Sequence, residues 1–440
     1  MHYPKPPDFK GLAENLSLYT QLKHEYGALN ISPILAKAEK ALRSALTELR
    51  HLPIDQDLAR QEPNELRKIQ RLRPAGPRRR WDSFDEKKYR DRLEGALLGR
   101  LAGCTLGAPV EFWPIAKMEA LARETGDPFP PVDYWSYVPE PYEKRYEMSQ
   151  WQAYTRGDMD GVPVDDDIAY TLLGLLIAED SGQNFTTADV GRAWLKYLPY
   201  ACTAEEVALK NLKAGVPAAK AGARNNPFCE WIGADIRADP WGYMAAGWPE
   251  KAADMAYRDA RISHRRQGIY GEMFFAAAIA AAFTVDHPIE ALKIGLTEIP
   301  ADCALAKAVR WALELAPEIH NYRQARQAME DHFKGMSAVH TINNACLTIW
   351  GLTIGGTDFT RVIGEAVAMG MDNDCTAATA GSIIGAILGK QGVPQYWYAN
   401  FNNQVHSYLI GKEHFAISEL VNHFARLASR IYQETGSRKV

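Results

Sequence analysis

Apolar residues recur at three- and four-residue steps over residues 33–50, "PILAKAEKALRSALTELR", where Leu35, Ala38, Leu42, Ala45, Leu46 and Leu49 predict one amphipathic helix. From about Tyr89 onward the helical period dominates. "RDRLEGALLGRLAGCTLGAP", "IAYTLLGLLIAE", "AEEVALKNLKAG", "PEKAADMAYRDARIS", "GEMFFAAAIAAAF", "ALAKAVRWALELA", "RVIGEAVAMG" and "ISELVNHFARLASRIY" all carry apolar or small residues at that spacing. No alternating run of comparable clarity predicts a strand. Many of these segments are rich in Ala and Gly, which lets helix backbones approach closely. The expectation is an all-α domain over residues 86–440, a compact multi-helix bundle, preceded by a helical N-terminal extension over 1–85.

Two stretches break the pattern. Residues 60–80 hold eight basic against two acidic side chains, interrupted by Pro63, Pro74 and Pro77, and are expected to be a solvated connector. Between Phe112 and Gly161 the chain turns aromatic and proline-rich, "PFPPVDYWSYVPEPYEKRYEMSQWQAY". Such a stretch can wall a pocket with flat ring faces or pack on itself as a stiff surface loop.

Composition narrows the classes. With 440 residues, 47% hydrophobic, and a formal net charge of −4, the chain can bury a large core and shows no bias toward nucleic acid or membranes. The longest apolar run, "MFFAAAIAAAFTV" at 273–285, is short of the roughly twenty residues of a membrane span, so a cytoplasmic protein is expected. Six scattered cysteines form no CxxC pair, and they are expected to be reduced.

The chemistry concentrates at two helix starts. Asp165, Asp166 and Asp167 open the helix of "VPVDDDIAYTLLGLL", and Asp372 and Asp374 stand at the head of "MDNDCTAATAGSIIGAILG". A single acidic helix start needs only capping to explain it. Three adjacent carboxylates exceed what one cap uses, and their repulsion costs stability unless a cation offsets it. If the two starts face each other, their oxygens would select Mg²⁺, Mn²⁺ or Ca²⁺ over zinc.

These residues resemble a known family. "GALLGRLAGCTLGAPVEF" at 95–112, "VDDDIAYTLLGL" at 164–175 and "GMDNDCTAATAGSIIGAILG" at 370–389 are similar, in order, to three blocks of the ADP-ribosylglycohydrolases. "IGADIRADPWG" at 232–242 and "RISHRRQGIYGEMFFAAAIAAAF" at 261–283 resemble two further segments, and the likeness covers roughly residues 90–435. It implies an all-α fold with a central cleft holding two Mg²⁺ ions, which grip a ribose diol while water attacks C1′ of an ADP-ribosyl conjugate or related ribosyl N-glycoside. Asp165, Asp166, Asp167, Asp372, Asp374 and Cys375 fall on the metal motifs, and Glu111, Asp166 and Asp374 on the catalytic positions. Gly233, Asp235, Arg237, His264, Gly268, Tyr270, Glu272 and Asn344 fall on or beside substrate-binding segments. For Arg237 an internal pair with Asp239 or Asp235 competes with a phosphate contact, and for Asn344 a buried backbone cap competes.

The departures are equally specific. Asp165 and Cys375 stand where the family has threonine ligands, Asn373 replaces a threonine, and Cys104 stands where an aspartate is frequent. A thiol is a poor ligand for Mg²⁺, so one strong and one weak metal site are expected. A ribosyl or ADP-ribosyl substrate, free or protein-linked, is the expected partner, and the extension could dock on the core, mediate oligomerisation or recognise a partner. The alternative is a catalytically silent, crystallin-like member that binds a nucleotide or serves as an interaction module.

Overall fold

Glycine recurs every fourth residue in the helix Glu86–Gly107, so Gly95, Gly99, Gly103 and Gly107 share one face. That face meets the helix Asn373–Leu388 at backbone distance: a Cβ on Gly99 would lie 2.1 Å from the Gly381 carbonyl oxygen, and one on Gly103 2.1 Å from that of Ala377. The register carries on to the helix ends, where a Cβ on Gly107 would lie 2.5 Å from Asp374 Cα. The buried helices Gln267–Ala282 and Thr341–Gly355 pack on the same Asn373–Leu388 helix. Amphipathic helices such as Thr187–Tyr197, Pro249–Ala260, Phe359–Ala368 and Ile417–Gly436 supply the outer layer.

This computed structural model describes residues 3–436 and is all-α, with two short antiparallel ladders. Lys144–Arg145 pairs with Ser149–Gln150, and Gln404–His406 pairs with His414–Ala416. Strands of two or three residues are too short to show an alternating pattern, so the period left them unmarked.

Two units cluster separately, one of residues 1–60 with 333–336 and one of 61–332 with 337–440. In the first, Phe9–Glu25 is capped by Asp8, which accepts from Gly11 N–H at 2.9 Å, and Ile31–His51 is the expected amphipathic helix.

In the second unit, residues 61–80 are not the solvated connector expected from their charge. Ile69 is fully buried, Arg73 and Arg78 converge on the buried Glu298, with Arg78 Nη1 at 2.8 Å, and the buried Glu62 pairs with Arg266. The basic side chains lay their stems on the bundle and bring their heads to buried acids, which charge counting alone does not reveal.

The aromatic stretch divides between its two readings. Trp135 and Tyr134 pack inward, donating to the carbonyls of Leu106 at 3.1 Å and Trp397 at 2.7 Å, whereas Tyr146 lines a cleft.

Candidate active site

The glycine crossing sets the site. Beyond Gly107 a short turn, Ala108–Val110, delivers Glu111, and Phe112 N–H donates to Met371 O at 2.9 Å, placing Glu111 beside the start of the Asn373–Leu388 helix. Phe112 and Met371 both take left-handed backbone, at φ of 58° and 63°, a strained arrangement for residues with side chains. The helix Asp166–Ser181 brings the other acidic start to the same place.

Ligand-type atoms converge in three sets, each within 4.8 Å: Glu111, Asp372 and Asp374; Asp167, Asp374 and Cys375; and Cys104, Asp165 and Asp167. Capping explains only part of this. Asp165 Oδ1 accepts from Asp167 N–H at 3.0 Å, but the Asp372 side chain caps nothing. Oδ1 of Asp372 and Oδ1 of Asp374 are buried and find no hydrogen-bond donor among the described residues. A buried carboxylate oxygen without a donor is costly, and a hard cation is the partner it suits.

Burial dominates the electrostatics. It raises Asp372 to about 7, with the Glu111 charge adding to the effect, and Asp166 to about 6, with Asp165 adding to it. Glu111 is likewise raised by burial, against the lowering effect of Arg145. Asp167 is tied back by the buried Arg100, 3.0 Å away, and accepts the Cys375 thiol at 2.9 Å. Burial pushes that thiol upward, so Cys375 sits as an S–H donor rather than as a thiolate.

A cation already stands among these acids. Arg145, in the first strand of the 144–150 hairpin, places Nη1 2.7 Å from Glu111 and Nη2 2.9 Å from Asp165 and 2.8 Å from Asp374. Its neighbour Tyr146 donates to Asp166 Oδ1 at 2.7 Å. Neither residue was marked by the sequence reading, because pairs separated by up to 229 positions leave no local signal.

The adjoining cleft encloses about 270 Å³. Glu111, Asp166, Asp372 and Cys375 line it, together with the aromatic residues Phe112, Tyr146, Tyr170 and Trp231. Cys202, Thr203 and Glu205 also reach it, again without having been marked.

Of the expected substrate-binding residues only Gly233 lines this cleft. Arg237 is fully buried and pairs with Asp259, Glu205 and Glu272, at 2.7, 2.9 and 3.3 Å, so its internal pairing is with these acids and not with Asp239 or Asp235. Glu272 also accepts from Trp241 Nε1 at 2.9 Å. Asp235 accepts from the Thr341 hydroxyl. His264 Nδ1 meets Ser263 Oγ at 2.8 Å, and burial lowers its pKa well below the usual value. Tyr270 donates to Pro63 O at 2.6 Å, and Asn344 caps the carbonyls of Ala338 and His340 at 2.8 and 3.0 Å. Gly268 passes so close to Cys229 O that a Cβ there would lie 2.6 Å away.

Comparison with known proteins agrees with this architecture. The family model for ADP-ribosylglycohydrolase matches residues 85–439. No curated protein matches the chain. Among solved structures, an ADP-ribosylglycohydrolase-related protein complex is similar at 22% identity and a TM-score of 0.53, covering 79% of this chain and 99% of its own, a likeness of fold.

Proposed function

The chain belongs to the ADP-ribosylglycohydrolase family, and from that premise we propose that it hydrolyses a ribosyl glycosidic bond, in an ADP-ribosyl conjugate or a smaller ribosyl N-glycoside. The observation that carries the reading is the convergence of Glu111, Asp166 and Asp372 in one cleft that Phe112, Tyr146, Tyr170 and Trp231 also line.

The donor set suits a hard divalent cation, Mg²⁺ with Mn²⁺ and Ca²⁺ as alternatives. Asp166, Asp372 and Asp374 are the residues that would hold it, since buried oxygens of Asp372 and Asp374 lack donors. Bound there, such an ion would orient a ribose diol and offset charge in an oxocarbenium-like transition state. The side chains do the rest. Tyr146, Tyr170 and Trp231 offer faces on which a base or sugar stacks. Water adds to C1′ and passes a proton to a carboxylate, while the C1′–N or C1′–O bond breaks and its electron pair leaves with the departing group, which is protonated in turn. Glu111 suits the proton transfer, because burial raises its pKa toward the working range of a general acid or base.

One observation favours a second reading, the silent relative: Arg145 already neutralises part of the acid cluster. A screen of ADP-ribosylated peptides, ADP-ribose conjugates and nucleosides, with Mg²⁺ or Mn²⁺, separates the two. Turnover is expected for one of these classes. Glu111→Gln should then lower kcat by about 10²-fold or more, the scale of a lost general acid or base, with ligand binding nearly intact. Near-normal turnover in that variant removes Glu111 from the mechanism, and a protein inert on every ribosyl substrate favours the silent reading.

A further inference from the structure

We propose that Arg145 is a resident cation of the cleft, its guanidinium filling one of two cation positions at the acidic helix starts, so that the protein binds a single divalent ion. The inference rests on the reading of this cleft as a cation site.

Three carboxylates from three separate segments surround one guanidinium: Glu111 after the glycine helix, Asp165 before the first acidic helix, and Asp374 in the first turn of the second. Gathering acids from distant segments around one point is the work a metal ion does in a coordination site. Here the fork of an arginine does it with directional hydrogen bonds. Asp165 shows the division of labour, since Oδ1 caps its helix and Oδ2 faces Nε of Arg145 at 3.0 Å. The capping aspartate of the run thus also has its charge partner in this side chain.

The guanidinium is not a surface arginine that has folded inward. Its side chain is only 10% exposed. The turn that carries it puts Tyr146 and Glu147 in left-handed backbone, at φ of 54° and 58°, a geometry that glycine or asparagine would adopt more cheaply. The hairpin is also fastened on both sides of the arginine. Tyr146 donates to Asp166 and stacks near Tyr200 and Tyr408, and Ser149 Oγ accepts from Val164 N–H at 3.0 Å, just ahead of the aspartate run. Strain held by this many contacts is spent on keeping one cation in place.

The arginine leaves part of the cluster unserved. It contacts Oδ2 of Asp374, whereas Oδ1 of that residue and Oδ1 of Asp372 stay without donors, 1% and 5% exposed as residues. Those oxygens, with Asp166 and Glu111 nearby, define a position still open to an ion.

Manganese titration tests this, with stoichiometry read by calorimetry and by the free Mn²⁺ signal in electron paramagnetic resonance at pH 7.5. The wild type is expected to bind one Mn²⁺ per chain, Arg145→Met two, and Arg145→Lys one. A wild type that binds two ions, or equal counts in wild type and Arg145→Met, overturns the assignment. Equal counts of zero would also overturn the cation reading of the cleft, whereas equal counts of one or two would leave it standing. If Arg145→Met is folded only when Mn²⁺ is present, as judged by circular dichroism, the ion replaces the guanidinium and the assignment holds. If the variant stays unfolded in both conditions, the wild-type count decides, one supporting the assignment and zero or two overturning it.

Discussion

Asp166 and Asp372 sit where burial favours the proton over the charge, and this makes their stability contribution run opposite to that of a salt-bridged acid. Unfolded, both titrate near pH 4; folded without metal, they titrate at about 6 and about 7. Across that window the folded state holds protons that the unfolded state has released. The contribution is therefore fully present below about pH 4 and is lost as pH rises through 6 and 7. A divalent ion reverses the trend by replacing the protons. At roughly a hundredfold excess over Kd, metal should add about 2.7 kcal/mol at pH 7.5 and much less at pH 5. Melting curves with and without Mn²⁺ at both pH values check this, and an increment at pH 5 equal to that at pH 7.5 would contradict it. At this scale the aspartates were legible because each stands at the head of an apolar helix, where a carboxylate is conspicuous. Arg145 was not, since nothing local to "YEKRYEMSQ" tells an arginine bound for solvent from one bound for buried acids. Arg237 shows the converse, because its phosphate-ready chemistry is consumed by Asp259, Glu205 and Glu272, which lie up to 35 positions away.

Between elements, the decisive contact is the crossing of Glu86–Gly107 with Asn373–Leu388. Because Gly99 and Gly103 face backbone carbonyls rather than the ends of side chains, an added methyl cannot be absorbed by a rotamer change. Gly99→Ala should destabilise the fold by about 1–3 kcal/mol or more, the cost of overpacking a core. It should also weaken the metal-induced rise in melting temperature, since the same crossing seats Asp374 against Gly107. Gly157→Ala is the control, with open space around its Cβ, and should change little. Urea midpoints for the three proteins test the claim, and a Gly99→Ala midpoint matching wild type would refute backbone contact. The sequence announced close approach through helices rich in Ala and Gly. It did not name the partner, because small-residue faces occur on several helices and only the three-dimensional register pairs them. The hairpin that carries Arg145 was hidden for a different reason, its strands being two residues each.

For the whole chain, the question is where the self-sufficient part begins. The family match starts at residue 85, yet the segment just before it supplies charges that the bundle has buried around. Glu298 has no exposed side-chain surface, and its partners are Arg73 and Arg78. Burial raises its pKa, with both arginines opposing the shift, so removing them strands an acid in the interior. Tyr270 would lose its acceptor at Pro63, Arg266 its partner at Glu62, and the site of Ile69 would open to water. Breaking one buried ion pair costs about 3–5 kcal/mol, and fully burying an isoleucine is worth about 1.5–3 kcal/mol. A chain beginning at Gln61 keeps all of these contacts, and the compact units divide at that residue. Residues 61–440 should therefore melt within a few degrees of the full chain, whereas residues 85–440 should melt on the order of 10 °C lower. The Met1–Arg60 unit, which has no buried residues in either of its long helices, is expected to contribute little to that figure. Calorimetry on the two truncations and the full chain measures the difference. Equal melting temperatures for 61–440 and 85–440 would show that the basic segment only rests on the bundle, and that Glu298 finds its compensation elsewhere.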